Sequence, residues 1–343
     1  MPELPLPAQI MQIATGYLLP RCLHAVAEAG IADALGDAPM TADALARATG
    51  KRGPALHRIL RLIATAGVFE SHGDHWTHTP LSRALRDDHP QSMRAFVRMI
   101  GDHLNWGAVG ELDHALATGR PSVEKLAPDG IWPYFQAHPD EARIFDAAMT
   151  AKSQETIAAV TTVYDFTRYG TIADIAGGRG HLLAAALSAA PQAEGILFDQ
   201  ADVVAAINPT SRMTLAAGDF FKDALPVADA YLLSNILHDW ADAEATSILL
   251  AIRRAAPKHA HLLVLESILP ETPEPHLSKT LDIIMLTMTG GKERTRAEYD
   301  QLLSAGGFRL DRVVATTSPV SIIVGTPVEG AIPDLGVAQS GAT

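Results

Sequence analysis

From residue 171 onward, short β-rich runs alternate with helical stretches, and this alternation limits the possible folds more than any other feature of the chain. The runs TIADIA, EGILFD and RMTLAAGD are separated by HLLAAALSAA and DVVAAIN. DAYLLSNIL, a helical stretch around DAEATSILLAIRRAA, and HLLVLES follow, before RLDRVVATT and SIIVGTP close the series. Strands that alternate with helices predict a doubly wound α/β sheet. We expect seven strands, the last two forming an antiparallel hairpin.

The N-terminal part of the chain has a helical pattern instead. Apolar residues recur at helical spacing from Gln9 to Leu35. A second helical unit follows, for which Thr41 is a candidate N-cap and Gly50 and Gly67 are candidate stops. The segment FESHGDHWTHT then alternates polar and apolar residues around Gly73, as a short hairpin would. Helices followed by a hairpin predict a winged-helix-like domain.

These patterns predict four regions. We expect a mostly helical, winged-helix-like domain over residues 1–105 and a helical bridge over 106–165 that contributes to a substrate pocket. The α/β domain should cover 166–327. The small-residue composition of 328–343 predicts a disordered tail.

Charge and cysteine content exclude several classes of protein. The net charge is −12, and residues 1–105 hold ten Lys/Arg and ten Asp/Glu, whereas a DNA-contacting domain needs a basic excess. A winged-helix DNA-binding regulator is therefore the weaker alternative, and we expect no nucleic-acid partner. The single cysteine, Cys22, cannot form an intramolecular disulfide, and no apolar run is long enough to span a membrane. We expect a cytoplasmic enzyme without a membrane partner.

The segment D-I-A-G-G-R-G-H, from Asp174 to His181, joins a predicted strand to a predicted helix, so its glycines would let a ligand approach the backbone. A dinucleotide motif starting at Gly178 would need a glycine where Leu183 stands, and Asp174 would repel a pyrophosphate. A nicotinamide oxidoreductase is therefore disfavoured. S-adenosylmethionine carries an ammonium and a sulfonium instead of phosphates, and a carboxylate suits it. A glycine-rich loop with a surface aspartate remains the structural alternative.

Further acidic residues follow the next two predicted strands. Asp199 lies about 20 residues after the glycines, where a carboxylate can accept hydrogen bonds from both hydroxyls of a ribose. Asp219 and Phe220 follow the third strand and could contact an adenine amine and stack on its ring. Each residue alone could cap a helix. Together they indicate a ligand site at the carboxyl edge of the sheet.

His238 follows the fourth predicted strand in N-I-L-H-D-W, which places it at the same edge. A lone histidine is more often structural than catalytic. Glu266 ends the fifth strand, however, and Glu293 follows in G-G-K-E-R-T. A carboxylate on the far imidazole nitrogen would fix the tautomer and stabilise the imidazolium, so the three residues predict a general base.

The runs L-H-D-W-A-D and L-D-I-I-M-L-T-M-T-G-G-K-E-R-T and the glycine turn after D-I-A together resemble the plant-type O-methyltransferase family. That family includes caffeate and flavonoid enzymes and bacterial natural-product methyltransferases. The resemblance covers nearly the whole chain. It implies a homodimer formed through the N-terminal domain, a Rossmann-like C-terminal domain that binds S-adenosylmethionine, and transfer of a methyl group to a hydroxyl of a small, aromatic or polycyclic specialised metabolite.

The resemblance also implies roles for individual residues. His238 would be the base, flanked by Glu266 and Glu293. The residues implied at the cofactor, together with those suggested above, are Ser153, Asp174, Gly178, Gly180, Asp199, Gln200, Asp219, Phe220 and Ser234. The residues implied at the acceptor are Trp132, Phe135, Met149, Asp239, Met285 and Met288, although core packing is the alternative for the methionines. No metal is implied.

Two residues depart from the family pattern. Ala176 stands where the family often has the first glycine of the turn, and Ser234 stands where many plant members have a lysine. Some members of the fold perform N- or C-methylation or chemistry without methyl transfer. The presence of His238, Glu266 and Glu293 favours methyl transfer.

Overall fold

The computed structural model describes residues 4–329, and within them two compact units. One unit comprises the chain up to Gly110 together with Ile131–Lys152, and the other comprises Glu111–Gly130 together with the chain from Ser153 onward. The helices of the predicted bridge therefore divide between the two units. Residues 330–343 of the predicted disordered tail lie outside the described residues, whereas the amide of Val328 donates to the carbonyl of Gly307 (3.0 Å).

Helices and strands are numbered along the chain. The helices are α1 Leu6–Ala14, α2 Leu18–Glu28, α3 Ile31–Leu35, α4 Ala42–Thr49, α5 Gly53–Ala64, α6 Pro80–Arg83, α7 Arg94–Ile100, α8 His103–Gly110, α9 Leu112–Thr118, α10 Ile131–Ala137, α11 Pro139–Val163, α12 His181–Ala189, α13 Ala201–Ala205, α14 Asp242–Ala255, α15 Leu277–Met288 and α16 Arg296–Ala305. The strands are β1 Met40–Thr41, β2 Glu70–His72, β3 His75–Thr77, β4 Thr171–Ile175, β5 Glu194–Asp199, β6 Met213–Ala217, β7 Ala230–Ser234, β8 His261–Ser267, β9 Phe308–Val314 and β10 Val320–Pro327. Short 3₁₀ turns cover Ser122–Lys125 and Leu237–Asp239.

The first unit contains the predicted helices and hairpin. The hydroxyl of Thr41 accepts a hydrogen bond from the amide of Ala44 (3.2 Å) and caps α4, which ends at Gly50 in the left-handed region (φ 67°). A two-residue turn at Gly73 (φ 67°) joins β2 to β3, and β1 adds to the far side of β3. Buried side chains from α4, α5 and β3, including that of Trp76, form the core. The winged-helix-like arrangement predicted from the sequence is present.

Helix α1 has an apolar surface that the rest of the unit leaves exposed. None of its residues is buried. Leu6, Ile10, Met11 and Ile13 are each exposed by more than half. A single chain gains little from displaying such a surface to water, so the exposure of α1 indicates a contact with another molecule.

The second unit is built on a seven-stranded sheet in the order β6-β5-β4-β7-β8-β10-β9. The strands from β6 to β8 are parallel, and β10 is antiparallel to both β8 and β9. This confirms the predicted doubly wound sheet and its antiparallel closing pair. Chain order reverses direction between β4 and β7, and the carboxyl ends of strands at such a switch point form the usual ligand-binding crevice.

Within residues 4–329, no helix combines the length and the apolar character that crossing a bilayer requires.

Candidate active site

The glycine turn follows β4 at the switch point of the sheet. Ala176, Gly178 and Gly180 all have positive φ angles (54°, 55° and 72°), which only glycine adopts at little cost. A β-carbon on Gly177 would lie 2.5 Å from Cγ of Asp174, so no larger residue fits there. A β-carbon on Gly178 would meet nothing within 4 Å. The turn therefore presents bare backbone to open space, as close approach by a ligand requires.

Asp199 holds this turn in place from the end of β5. Its Oδ2 accepts a hydrogen bond from the amide of Gly178 (2.8 Å), and its Oδ1 accepts one from the amide of Gln200 (2.7 Å). Burial raises the pKa of this carboxyl. Each carboxylate oxygen has a second lone pair, so Asp199 can still accept hydrogen bonds from a pair of hydroxyls.

Asp174 lies beneath the turn, and its carboxyl is only 1% exposed. Neither of its oxygens has a hydrogen-bond partner among residues 4–329. Burial, and secondarily the negative charge of Asp199, raises the pKa of Asp174 to about 7. An unpartnered carboxyl under an open glycine turn fits a ligand that brings a cationic group, which the ammonium of S-adenosylmethionine would supply.

Asp219 and Phe220 lie in the loop after β6. The carboxylate of Asp219 accepts hydrogen bonds from the amide of Phe221 (2.9 Å) and from Nζ of Lys222 (2.8 Å). Burial raises its pKa, but these two donors outweigh burial and the pKa is lowered. The Phe220 ring lies edge-on to Phe221 and Trp240, with centroids 4.7 Å and 6.0 Å away. Trp240 thus joins the aromatic group that the sequence predicted from Phe220 alone.

His238 lies in the 3₁₀ turn that follows β7, and it is 4% exposed. Its Nδ1 is 2.8 Å from Oε1 of Glu293, which is buried as well. An ionised carboxylate can only accept, so a neutral imidazole that donates from Nδ1 to Glu293 would carry its lone pair on Nε2. The Oδ1 atom of Asp239 lies 3.8 Å from Nε2. Glu293 is therefore the carboxylate that orients His238.

Glu266, the other carboxylate expected to flank His238, contacts the backbone of the turn rather than the imidazole. Its Oε1 accepts hydrogen bonds from the amides of Ile236 (3.1 Å), Leu237 (2.6 Å) and His238 (3.2 Å). Its Oε2 accepts one from the hydroxyl of Tyr299. The cause is strand register: β8 pairs with β7 up to Ser234, so the carboxyl near the end of β8 lies under the turn that follows β7.

The G-G-K-E-R-T segment closes around the same turn. A β-carbon on Gly291 would clash with the carbonyl of His238, so this glycine permits the close approach. The guanidinium of Arg294 donates to the carbonyls of Leu237 (2.8 Å) and Trp240 (2.9 Å). Sequence reasoning missed Arg294, although its place beside Glu293 in one motif was the available signal.

Several predicted cofactor and acceptor residues belong to the second unit. Ser234 ends β7, and its hydroxyl accepts a hydrogen bond from the side chain of Asn235 (3.4 Å). Ser153 begins the part of α11 that belongs to this unit. Met285 and Met288 are largely buried on α15, a position equally suited to core packing.

The other predicted acceptor residues belong to the first unit. Trp132 and Phe135 lie on α10, where both rings contact Phe145, with centroids 6.0 Å and 4.8 Å away. Met149 lies further along on α11. Nowhere in residues 4–329 do three or more His, Cys, Asp or Glu side chains form a group that could hold a metal ion.

Family models match both parts of the chain. A model described as an O-methyltransferase domain matches residues 110–309, and one described as an O-methyltransferase dimerisation domain matches residues 11–88. The chain belongs to the plant-type O-methyltransferase family. The winged-helix-like region is thus a dimerisation domain, and the Rossmann-like sheet belongs to a methyltransferase.

The chain is also similar to individual bacterial enzymes along most of its length. It is 39% identical to the phenazine O-methyltransferase PhzM of Lysobacter antibioticus, over 94% of this chain and 97% of that protein. It is also 39% identical to the 8-amino-8-demethylriboflavin N,N-dimethyltransferase of Streptomyces davaonensis, over 83% of this chain and 85% of that one.

A solved structure of CalO1, a methyltransferase in calicheamicin biosynthesis with SAH bound, matches with a TM-score of 0.85 at 35% identity, covering 95% of this chain and 100% of that one. The chain is accordingly an S-adenosylmethionine-dependent methyltransferase of the natural-product type. This confirms the predicted cofactor over the nicotinamide alternative.

Proposed function

We propose that this enzyme methylates a hydroxyl group on a small aromatic specialised metabolite, with His238 as the general base. The observation that carries the proposal is the contact between Nδ1 of His238 and the buried carboxylate of Glu293 (2.8 Å). Because Glu293 contacts Nδ1, Nε2 is the nitrogen that would receive the proton of the acceptor hydroxyl. S-adenosylmethionine, when bound, supplies a methyl group activated by its sulfonium.

The cofactor would be held at the carboxyl edge of the sheet. Asp199 would accept hydrogen bonds from the ribose hydroxyls, Asp219 would face the adenine amine, and Phe220 would stack on the base. The full set proposed is Ser153, Asp174, Gly178, Gly180, Asp199, Gln200, Asp219, Phe220 and Ser234. The unpartnered carboxyl of Asp174 and the open backbone at Gly178 support this assignment.

The pair formed by His238 and Glu293 suits a hydroxyl acceptor. A phenol has a pKa near 10 and imidazole one near 6.5, so complete proton transfer before methylation would cost roughly 5 kcal/mol. That cost falls if the proton moves to Nε2 while the oxygen attacks, and if Glu293 stabilises the imidazolium. An aromatic amine attacks through a lone pair that is already free, so it needs a base less. The hydroxyl is therefore the acceptor we propose, although the relatives include an N-methyltransferase by name.

Aromatic and thioether side chains support an aromatic acceptor. Trp132 and Phe135 share ring contacts with Phe145, and the Trp132 side chain is partly exposed. Flat rings and polarizable sulfur atoms bind aromatic surfaces well. The proposed acceptor contacts are Trp132, Phe135, Met149, Asp239, Met285 and Met288.

The enzyme would work as a homodimer. The exposed apolar surface of α1 and the family's dimerisation domain over residues 11–88 support this. Light scattering should report about twice the mass of one chain. A monomer that turned over at full rate would contradict the proposal.

The decisive experiment uses matched acceptors and one substitution. Hydroxyarenes and the corresponding aminoarenes would be incubated with enzyme and S-adenosylmethionine, and products would be read by mass spectrometry for the gain of one methyl. We expect hydroxyarenes to be methylated and His238→Gln to lower kcat on them by about 10²-fold or more, the lower end of the range for a positioned base. Cofactor affinity should stay nearly unchanged.

His72→Gln, on the exposed hairpin of the first unit, is the matched control and should keep full activity. Near-normal turnover by His238→Gln on an acceptor of ordinary phenolic pKa would overturn the role of His238. Methylation of the aminoarenes alone would overturn the choice of oxygen.

A further inference from the structure

Arg294 is the one fully buried arginine among residues 4–329, and the hydrogen bonds of its guanidinium all go to the chain that follows β7 around His238. Its Nη1 donates to the carbonyl of Leu237 (2.8 Å), and its Nη2 donates to the carbonyl of Trp240 (2.9 Å). Nε and Nη2 both donate to Oδ1 of Asp242 (3.1 Å and 2.9 Å). One guanidinium therefore binds the residue before His238, the residue two positions after it, and the first residue of α14.

The contacts made by Glu266 are complementary to these. Glu266 accepts hydrogen bonds from the consecutive amides of Ile236, Leu237 and His238. Arg294 donates hydrogen bonds to the carbonyls of Leu237 and Trp240 in the same turn. Buried backbone groups satisfied by charged partners form stronger hydrogen bonds than neutral pairs do. The 3₁₀ turn is thus held between a buried anion and a buried cation.

Glu293, which precedes Arg294 in the same motif, contacts the imidazole ring itself. Glu293 bonds Nδ1 of His238, and Arg294 bonds the backbone on both sides of His238. Two neighbouring residues thus set two properties of the base, the direction of its ring and the position of its main chain. A shift of about 1 Å in a reacting group can lower a rate about 10²-fold.

We propose that Arg294 is a positioning residue for the general base, fixing where Nε2 of His238 meets the acceptor hydroxyl. This rests on the proposed function of His238. Within residues 4–329 the guanidinium of Arg294 donates hydrogen bonds only to Leu237, Trp240 and Asp242, so its effect on methyl transfer passes through the turn. The planar guanidinium of Arg294 has donors spaced to reach two carbonyls and a carboxylate at once. The ammonium group of a lysine has no such planar set of donors.

The test compares Arg294→Met and Arg294→Lys with Lys292→Met. Lys292 lies in the same motif and also binds Asp242 (2.9 Å), but it makes no hydrogen bond to the turn among the contacts of the described chain. On a hydroxyarene of ordinary pKa, Arg294→Met should lower kcat about ten- to hundredfold, Arg294→Lys should recover part of that loss, and Lys292→Met should stay within about threefold of the parent. The affinity for S-adenosylmethionine, measured by calorimetry, should change less than about threefold in all three variants.

A second acceptor distinguishes the loss of His238 positioning from general structural damage to the variant. A polyfluorinated analogue of the same hydroxyarene is ionised at the assay pH and needs no base. If Arg294 acts through His238, both Arg294→Met and His238→Gln should lose most of their defect on that analogue. An equal loss on both acceptors would show mere structural damage and overturn the proposal. Amide exchange measured by mass spectrometry should also be faster over residues 233–242 in Arg294→Met and unchanged in Lys292→Met.

The outcomes separate this proposal from the proposed function. A strong defect in His238→Gln beside normal turnover in Arg294→Met overturns the role of Arg294 alone. Near-normal His238→Gln overturns the base and the positioning role together. If Arg294→Met does not fold, Asp242→Asn tests the same positioning role. Asp242 is 60% exposed and binds the guanidinium of Arg294 from the surface, so its substitution should leave the protein folded. That variant should lose about three- to tenfold in kcat with the same dependence on acceptor pKa, and a loss independent of the acceptor would overturn the proposal.

Discussion

The turn after β4 and the turn after β7 end adjacent parallel strands, yet they are held in opposite ways. The glycine turn is fastened mainly by Asp199, and it contains an alanine in the left-handed region and the unpartnered carboxyl of Asp174 beneath it. The His238 turn has its amides bound by Glu266 and its carbonyls bound by Arg294. The glycine turn covers a buried carboxyl without partners, whereas the backbone amides and carbonyls of the His238 turn are bound by charged side chains.

This difference matches the roles proposed for the two turns, cofactor binding and catalysis. A ligand-binding turn must leave space and unsatisfied polar groups, because a ligand completes it. A catalytic side chain must be held still before the reaction, since orientation that is settled in advance lowers the barrier. The residue after each strand shows the same contrast: Asn235 adopts a positive φ (53°) that asparagine tolerates, whereas Ala176 adopts one (54°) that alanine does not favour.

The largest expected effect is a fall in kcat, without a change in cofactor affinity, when the His238 turn is altered. Glu293→Gln removes the charge that orients and stabilises the imidazole, so kcat on a hydroxyarene should fall by about 10²-fold while cofactor affinity stays the same. Steady-state rates and calorimetric titration would measure the two quantities. Glu271→Gln, on an exposed loop of the same unit, is the control. A variant that lost cofactor affinity in parallel with kcat would contradict the division between the turns.

The converse substitution is Asp199→Ala, which should weaken S-adenosylmethionine binding by tenfold or more. Hydrogen bonds to a charged group contribute about 1.5 to 3 kcal/mol each, and the ribose and the amide of Gly178 would both lose their acceptor. At saturating cofactor, kcat should recover to within a few-fold of the parent. Asp202→Ala, an exposed neighbour, should bind normally. Unchanged affinity in calorimetry would refute the assignment of Asp199.

The unpartnered carboxyl of Asp174 gives the glycine turn a pH dependence. Its pKa is about 7 in the folded chain against an ordinary 3.8, so the folded state holds the proton more tightly than the unfolded chain does. Well below pH 4 the carboxyl is protonated in both states and costs nothing. Stability then falls as the pH rises toward 7, by at most about 4 kcal/mol.

Asp174→Asn should therefore act in opposite directions at the two ends of that range. A buried amide without partners costs about 1 to 3 kcal/mol at any pH. The variant should be less stable than the parent near pH 4 and more stable near pH 8, by about 1 to 2 kcal/mol there. Denaturant unfolding of the cofactor-free protein would measure both. The same difference at both pH values would rule out titration of Asp174.

The smallest effect concerns strain at Ala176. Ala176→Gly relieves a left-handed alanine, which costs about 1 to 2 kcal/mol, but it adds about 0.5 to 1 kcal/mol of unfolded-chain entropy. We expect a net stabilisation of up to about 1 kcal/mol, seen as a rise in Tm of a few degrees. Asn235→Gly should give no such gain, because asparagine tolerates its conformation. A clear loss of stability in Ala176→Gly would show that the methyl group packs usefully.

Much of the fold followed from local patterns. Strand and helix periods along the chain predicted the doubly wound sheet and the closing hairpin, and turn chemistry predicted the helix stop at Gly50 and the hairpin turn at Gly73. Residues 106–165, which the sequence grouped as one helical bridge, divide between the two compact units. Which unit a helix packs against depends on contacts between distant residues, and helical periodicity carries no information about them.

By itself, the sequence determined which residues reach the binding edge. Strand ends and glycines are local features, so the positions of Asp199 and His238 could be read along the chain. Only the tertiary structure decided which carboxylate contacts His238, the proposed base. Glu266 and Glu293 lie 28 and 55 residues beyond His238, and both follow it in suitable motifs. The pairing of β8 with β7 sends Glu266 to the backbone amides, and the close packing at Gly291 brings Glu293 to the imidazole. Register and close packing arise from contacts between distant segments, so the roles of these two carboxylates existed only once the chain had folded.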